Sequence, residues 1–158
     1  MKGERAMSAR AMRDDWATPA SVFDPLNAEF GFTLDAAALP HNAKCERYLT
    51  PEDDALDEVT YWGNRRQREV VWLNPPYGHK NLLLWMGRAR REAQWCAATV
   101  VCLVPAHTGQ RWWHEHVADG KASEIRWLRG RVKFVGAAGC APFPSCVVIY
   151  RPLTQAAA

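Results

Sequence analysis

The stretch Val70-Val71-Trp72-Leu73-Asn74-Pro75-Pro76-Tyr77-Gly78 decides the fold predicted for this chain. Its first four residues are apolar and begin with two β-branched valines, which predicts a short buried strand. The two prolines that follow supply no N–H and hold φ near roughly −65°, so the chain has to leave the sheet there. The stretch therefore predicts a stiff loop, carrying an amide and a phenol, at the carboxyl end of a strand. In open α/β sheets that edge is where ligands bind.

Length and composition predict one globular domain without a membrane span. The chain has 158 residues, of which 48% are hydrophobic and 23% charged, and its net charge of +3 permits a polyanionic partner without requiring one. Five cysteines without C-x-x-C spacing argue against a zinc site or a disulfide framework, so we expect no metal and a reducing cytoplasm. No apolar run approaches ~20 residues, and no signal peptide is visible.

The segments before the proline loop predict a helix, a strand and a long irregular connection. Thr18 is placed to cap a helix that starts at Pro19 and ends at Gly31. A strand over 32–37 then ends in Asp35 and a run of alanines, whose small side chains let a ligand approach the backbone. By itself Asp35 is equally consistent with a turn residue. Residues 39–64 read as an irregular, functional loop with a short helical turn after Thr50.

The segments after the loop alternate between helix and strand and then change character. A helix over 82–95 has its apolar residues on one face and its arginines opposite, and strand 97–105 is apolar throughout. A further helix, over 109–117, precedes three strands. We expect 124–128 and 130–135 to form a hairpin, and 145–150 to close the sheet. The order predicts an α/β fold, a mostly parallel sheet with an antiparallel C-terminal strand pair and helices on both faces.

The proline loop has the groups needed to hold an aromatic exocyclic amine. The side-chain oxygen of Asn74 and the neighbouring backbone carbonyl are two fixed acceptors, and Tyr77 offers a ring for stacking. Drawing both amine hydrogens into acceptors frees the nitrogen lone pair, and the stabilisation acts where charge develops, in the transition state. The motif contains no strong base, so the electrophile must be very reactive. A methylsulfonium satisfies that requirement.

Several motifs occur together with this tetrad and in a fixed order along the chain. They are Asp15-Trp16-x-Thr18-Pro19, Phe32-Thr33-Leu34-Asp35, Asn42-Ala43-Lys44-Cys45, Tyr48-x-Thr50-Pro51, Trp72-x-Asn74-Pro75-Pro76-Tyr77-Gly78, Leu103-Val104-Pro105-Ala106, Trp112-Trp113, Gly130-Arg131-x-Lys133-Phe134 and Ala141-Pro142-Phe143-Pro144-Ser145. Over residues 14–151 the set resembles the phage-type, Dam-like family of DNA adenine N6-methyltransferases.

The resemblance implies a class I, Rossmann-like methyltransferase fold that uses S-adenosyl-L-methionine. It implies a single domain over 14–152, with a flexible tail at 1–13 and a C-terminal tail at 153–158. The catalytic residues would be Asn74, Pro75, Pro76 and Tyr77. The cofactor would be bound by Trp16, Thr18, Pro19, Asp35, Ala36, and Asp53 or Asp54. The target base and DNA backbone would contact Tyr77, Phe143, Arg131 and Lys133.

The activity implied is methyl transfer to the N6 amine of adenine in DNA, in the cytoplasm of a bacterial host cell. Methylation of cytosine N4 is an alternative because the same acceptors suit that amine, although Ser commonly leads the tetrad in the cytosine enzymes. An inactive DNA- or nucleotide-binding module of the same fold is a second alternative, against which the intact tetrad argues. DNA is the expected partner, and we expect a monomer or a weak dimer.

Overall fold

The fold is a five-stranded sheet with helices on both faces. The computed structural model describes residues 16–63, 66 and 68–153, so the tail predicted at 1–13 and residues 154–158 lie outside the described part. In chain order the elements are α1 (Ala20–Phe30), β1 (Leu34–Asp35), a 3₁₀ turn (Pro51–Asp53), β2 (Val70–Leu73), α2 (His79–Cys96), β3 (Thr99–Pro105), α3 (Arg111–His116), β4 (Glu124–Trp127) and β5 (Ser145–Tyr150).

The sheet is parallel on one side and antiparallel on the other. Its strand order is β1-β2-β3-β5-β4, with β1, β2 and β3 parallel to one another. Strand β5 lies between β3 and β4 and is antiparallel to both. The carboxyl ends of β1, β2 and β3 therefore meet at one edge. A mostly parallel sheet with an antiparallel C-terminal pair is confirmed at this level.

The hairpin predicted between 124–128 and 130–135 is wrong. Strand β4 pairs with β5 instead, and the backbone turns away after β4 at Gly130, which has a φ of +73°. Burial in the following residues still alternates, with Val132 and Phe134 buried and Arg131 exposed. Period two in burial is thus present without a ladder, because Val132 and Phe134 pack into the buried cluster that contains Phe23 and Leu26 of α1. The segment makes one isolated bridge, to the N-terminal segment.

Helix α1 covers one face of the sheet. Phe23 and Leu26 pack against Trp72, Val101 and Leu103 in a single buried cluster. The helix ends as predicted at Gly31, whose φ is +67° and whose N–H bonds to the carbonyl of residue 27 at 2.9 Å. The predicted cap was wrong, since the N-cap is Pro19 and Thr18 makes no capping hydrogen bond.

Helices α2 and α3 cover the opposite face. Leu82, Met86 and Trp112 are fully buried against the apolar strands β2, β3 and β5. The arginines of α2 were predicted to lie opposite its apolar face; one of them, Arg88, is nevertheless buried. Among the described helices, none is long and apolar enough to cross a membrane.

The long connection between β1 and β2 packs along the outer edge of β1. The N–H of Asp35 bonds to the carbonyl of Arg47 at 3.0 Å, and the N–H of Leu49 bonds to the carbonyl of Asp35 at 2.9 Å. Tyr48 forms an isolated parallel bridge with Asp35 between these two bonds. At its far end Trp62 is fully buried. The connection therefore protects the sheet edge and forms a wall beside the carboxyl ends of the strands.

Candidate active site

The carboxyl ends of β1 and β2 bring Asp35 and Asn74 to the same cavity. Asp35 is paired with Trp72 in parallel register, so the residues that follow each strand leave the sheet side by side. The cavity has a volume of about 40 Å³ and opens to solvent. It is lined by Trp16, Ala17, Thr18, Asp35, Ala37, Asn42, Lys44, Trp72, Asn74, Pro75, Pro76, Tyr77 and Phe134.

A second, larger cavity adjoins the first at the proline loop. Its volume is about 310 Å³, and four residues (Ala37, Asn42, Asn74 and Pro76) line both cavities. Its remaining lining consists of Ala36, Ala38, Leu39, Leu49, Thr50, Pro51, Asp54, Ala55, Leu56 and Trp85. Together the two cavities form a bipartite site, and the second has the size that small-molecule sites have in proteins. Asn74 lies where they meet.

The side chains of Asn74 and Tyr77 are joined by a hydrogen bond. The Tyr77 hydroxyl lies 2.7 Å from Asn74 Oδ1 and 3.1 Å from the carbonyl oxygen of Leu103. Burial raises the pKa of Tyr77 far above its ordinary value, so the phenol remains a hydrogen-bond donor. The amide oxygen of Asn74 is therefore already held as an acceptor at the cavity junction.

Aromatic rings surround Tyr77. The rings of Phe134 and Phe143 lie edge-on to it, with centroids 6.0 and 5.7 Å away, and His107 makes a similar contact with Phe143 at 5.5 Å. Phe143, predicted to contact the target base, is thus brought next to Tyr77 of the proline loop. Phe134 was given no role from the sequence, although the motif that contains it was recognised.

Asp35 is a buried acid with two backbone donors. It is 3% exposed, and its carboxylate accepts the N–H of Ala37 at 3.3 Å and that of Lys44 at 3.0 Å. Burial raises the pKa of Asp35, whereas the two N–H groups and the Lys44 ammonium act in the opposite direction. A buried acid at a cavity wall is suited to a cationic group of a ligand.

The N-terminal segment closes one side of the first cavity. Trp16 stacks on Phe134 at 5.9 Å with an interplanar angle of 21°, and the N–H of Val135 bonds to the Ala17 carbonyl at 3.0 Å. Thr18 is 2% exposed, and its hydroxyl has no hydrogen-bond partner among the described residues. Pro19 lines neither of the two cavities, so its predicted cofactor contact stays a prediction.

The two acids after Thr50 have different environments. Asp53 closes a capping box, accepting the N–H and the hydroxyl of Thr50 at 2.8 and 2.9 Å, and it lines neither cavity. Asp54 has a φ of +46° and lines the second cavity, as does Ala36. The sequence left open which acid faces a ligand, and the geometry favours Asp54.

The two residues predicted to contact the DNA backbone, Arg131 and Lys133, lie outside the two cavities. Arg131 and Lys133 are exposed on either side of buried Val132, and they precede the cavity residue Phe134. Asn42 and Lys44 line the first cavity but were given no role from the sequence, although the motif that contains them was recognised. Within the described ranges, no group of three or more His, Cys, Asp or Glu side chains is arranged to hold a metal ion.

A family model described as DNA N-6-adenine-methyltransferase (Dam) matches residues 5–157, nearly the full chain. The chain belongs to the Dam family. The match includes the proline loop, the buried acid after β1 and the segment at 16–18, which the fold brings together around one cavity. The resemblance predicted from the sequence motifs is therefore confirmed at the level of the family.

Two phage relatives are both named DNA N-6-adenine-methyltransferase. The protein of Escherichia phage T1 is 33% identical over 119 residues, which are 75% of this chain and 46% of the phage protein. The protein of Haemophilus phage HP1 (strain HP1c1) is 31% identical over 134 residues, which are 83% of this chain and 72% of the phage protein. This member of the Dam family thus spans under half the length of the first relative and most of the second.

Proposed function

We propose that this protein transfers a methyl group from S-adenosyl-L-methionine to the N6 amine of adenine in DNA. The proposal includes a class I, Rossmann-like assignment of the sheet and helices. The observation that carries it is the position of Asn74, which lines both cavities and whose amide oxygen accepts a hydrogen bond from Tyr77. One cavity can then hold the amino-acid end of the methyl donor and the other its nucleoside, which leaves the sulfonium that links them near Asn74 and the acceptor amine.

The residues of the first cavity fit the amino-acid end of the cofactor. Asp35 would hold the ammonium group, since it is a buried acid at the cavity wall. Thr18 has a buried hydroxyl without a partner among the described residues, which can be donated to a carboxylate. Lys44 lies at the same cavity and supplies a positive charge. A cavity that offers an acid to the ammonium group and a cation to the carboxylate suits the zwitterionic amino-acid end of the cofactor.

The second cavity fits the adenosine end. Its walls are largely alanine, leucine and proline, with Trp85 and Asp54 among the larger and polar members. Apolar walls with a few placed polar groups are what ring-containing ligands require. We assign Asp54 to the ribose hydroxyls, because Asp53 is occupied by its own turn.

The chain's part in the chemistry is to orient and polarise the amine. When bound, S-adenosylmethionine supplies a methyl group activated by its sulfonium. Asn74 Oδ1 and the adjacent backbone carbonyl accept the two amine hydrogens, which localises the nitrogen lone pair as bonding charge develops. The amine takes the place that the Tyr77 hydroxyl holds at Asn74, so Tyr77 becomes free to stack on the base.

The target base must leave the duplex to reach Asn74, at a cost of a few kcal/mol. Tyr77 and Phe143 offer rings for the flipped base, and the exposed side chains of Arg131 and Lys133 are placed for phosphates. The chain carries out this reaction as a monomer or a weak dimer with DNA as its partner.

The proposal is tested by measuring incorporation of labelled methyl groups into two DNA duplexes of restricted composition. A duplex containing only A·T pairs is expected to become labelled, whereas one containing only G·C pairs is not. Labelling of the G·C duplex alone would indicate that the protein methylates the N4 amine of cytosine instead of the N6 amine of adenine. Absence of label in both duplexes and in genomic DNA would contradict the proposed activity.

Replacing Asp54 with asparagine is expected to raise the dissociation constant for S-adenosylmethionine about tenfold, the loss of one charged hydrogen bond. Asp53→Asn is the matched control and should change this dissociation constant less than about twofold, because the Asp53 carboxylate is already paired with Thr50 of its own turn. Isothermal titration of both variants gives the comparison. Equal effects at the two positions would contradict the assignment of Asp54.

Removing the Tyr77 hydroxyl is expected to leave methyl transfer intact, since Tyr77→Phe keeps the ring and frees the acceptor of Asn74. Tyr77→Ala should lower kcat/KM for DNA by the value of one stacking contact, about 1–3 kcal/mol. Steady-state kinetics on one DNA substrate measures both. A large loss in Tyr77→Phe would show that the hydroxyl, not the ring, is needed.

A further inference from the structure

Helix α2 carries a buried cation that the proposed chemistry does not use. Arg88 is 5% exposed and Glu92, one turn later, is 6% exposed. Arg88 Nε donates to Glu92 Oε1 at 2.8 Å. A buried pair of this kind needs further hydrogen bonds to offset its desolvation. The partners of the remaining guanidinium N–H groups therefore indicate what the arginine holds.

Those partners are backbone carbonyls of the connection between β1 and β2. Nη1 donates to the carbonyl of Asp57 at 2.7 Å and, at 3.4 Å, to that of Leu56, while Nη2 donates to the carbonyl of Thr60 at 2.5 Å. The guanidinium also lies over the ring of Trp62 at 5.6 Å. One side chain thus fixes several points of residues 54–62, which we call the wall segment.

The wall segment is one side of the second cavity. Asp54, Ala55 and Leu56 line that cavity, and the indole N–H of Trp62 donates to the Ala55 carbonyl at 2.8 Å. Trp85, also a cavity residue, packs on Trp62 at 6.1 Å. Arg88 therefore supports the cavity wall indirectly, through the backbone of the wall segment and through Trp62.

We propose that Arg88 is a positioning residue that sets the shape of the adenosine half of the cofactor site; this rests on the proposed function. Arg88 lines neither of the two cavities described above and acts through the wall segment. Helix α2 has its N-cap at Gly78, directly after the catalytic tetrad. Arg88 thus ties the adenosine wall to the helix that begins at the amine-binding loop, which fixes the distance between the two halves of the site.

The chemistry of the side chain explains why arginine is needed. The planar guanidinium presents donors in a fixed fork, so it can reach Glu92, Asp57 and Thr60 at once while its face meets Trp62. A lysine ammonium is a point charge that retains the pairing with Glu92 but cannot span the carbonyls. Arg88→Lys therefore keeps the charge and removes the positioning.

The helix offers a matched control in Arg91. It reaches the wall segment through Glu58 at 3.5 Å, but it is 53% exposed and Glu58 is 85% exposed. Exposed pairs of this kind contribute little. Arg91→Lys makes the same chemical change on the same helix and should leave cofactor binding unchanged.

The test compares two ligands on the full chain, S-adenosylmethionine and 5′-methylthioadenosine, which lacks the amino-acid end. In Arg88→Lys both dissociation constants should rise by the same factor, about tenfold, as expected for the loss of one or two charged hydrogen bonds. The turnover number at saturating cofactor should stay within about twofold, since the residues at the reacting amine are unchanged. Thermal melting reports whether each variant is folded.

Three results would overturn the inference. Unchanged binding of both ligands by folded Arg88→Lys would show that the wall does not depend on the arginine. A fall in turnover number without a change in binding would place its effect at the reacting end. A wild-type protein that binds S-adenosylmethionine but not methylthioadenosine would remove the adenosine assignment of the second cavity, whereas failure of the wild type to bind either ligand contradicts the proposed function itself.

Discussion

Replacing Asn74 with alanine is expected to lower the rate of methyl transfer about 10²- to 10³-fold, the usual cost of removing one preorganised group that acts in the transition state. The dissociation constant for S-adenosylmethionine should change little, because the cofactor is assigned to Asp35, Thr18 and Asp54. Single-turnover transfer and equilibrium titration on the same preparation separate the two effects.

Asn81→Ala is the matched control for Asn74. Asn81 lies on the first turn of α2, lines neither cavity and carries the same amide. Its loss should leave the transfer rate within about twofold of wild type, as for a substitution away from the reacting groups. A rate for Asn74→Ala close to that of Asn81→Ala would show that the amide oxygen is not the acceptor of the amine.

Replacing Asp35 with asparagine is expected to raise the dissociation constant for S-adenosylmethionine by about 10- to 100-fold. The variant loses a charged hydrogen bond to the cofactor's ammonium. In addition, the asparagine NH2 group faces one of the two backbone N–H groups that the Asp35 carboxylate accepts, so two donors face each other. Asp24→Asn, on the exposed side of α1, is the control and should bind the cofactor normally. Equal affinities for the two variants would exclude Asp35 from the cofactor site.

The pH dependence of binding provides a second test of Asp35. Burial raises its pKa, so the carboxyl group takes up its proton at a higher pH than an exposed aspartate does. The protonated form has lost the charge that attracts an ammonium, so the affinity of the wild type should fall as the pH decreases through that pKa. Asp35→Asn should lack this acid limb. An identical limb in both proteins would assign it to another group.

The sequence was sufficient to predict the central layer of the fold. Strands β2 and β3 have uninterrupted apolar runs that are bounded by prolines, and α1 ends at the glycine that the 3.6-residue period predicts. These elements can be predicted locally, because the apolar run predicts the burial of each element and the neighbouring proline or glycine predicts its end. The edge that carries Asn74 follows directly from them.

The errors arose where tertiary contacts decide the structure. The alternating residues 131–135 carry the signal of a strand, yet β4 pairs with β5, and Val132 and Phe134 pack into the buried cluster that contains α1. Arg88 has the sequence context of a solvated helix face, and only the fold places three carbonyls around it. Thr18 precedes a proline as a cap would, but its hydroxyl remains unpaired at the cavity among the described residues. Local patterns do not record such partners.

The candidate site was predicted in part for the same reason. Asn74, Asp35 and Trp16 belong to motifs at element ends, where the chain order alone places them at one edge of the sheet. Lys44 reaches the first cavity because its segment folds back along β1, which no local period indicates. The choice between Asp53 and Asp54 required the turn geometry that occupies the first of them.

The most direct test of adenine N6 methylation is the identity of the nucleoside that the wild-type protein methylates. DNA of mixed sequence is incubated with the protein and S-adenosylmethionine labelled in its methyl group, digested to nucleosides and separated by mass spectrometry. We expect the label in N6-methyldeoxyadenosine, and we expect this labelled nucleoside to disappear when Asn74 is replaced by alanine. Label in N4-methyldeoxycytidine instead, or in no nucleoside, would contradict this expectation.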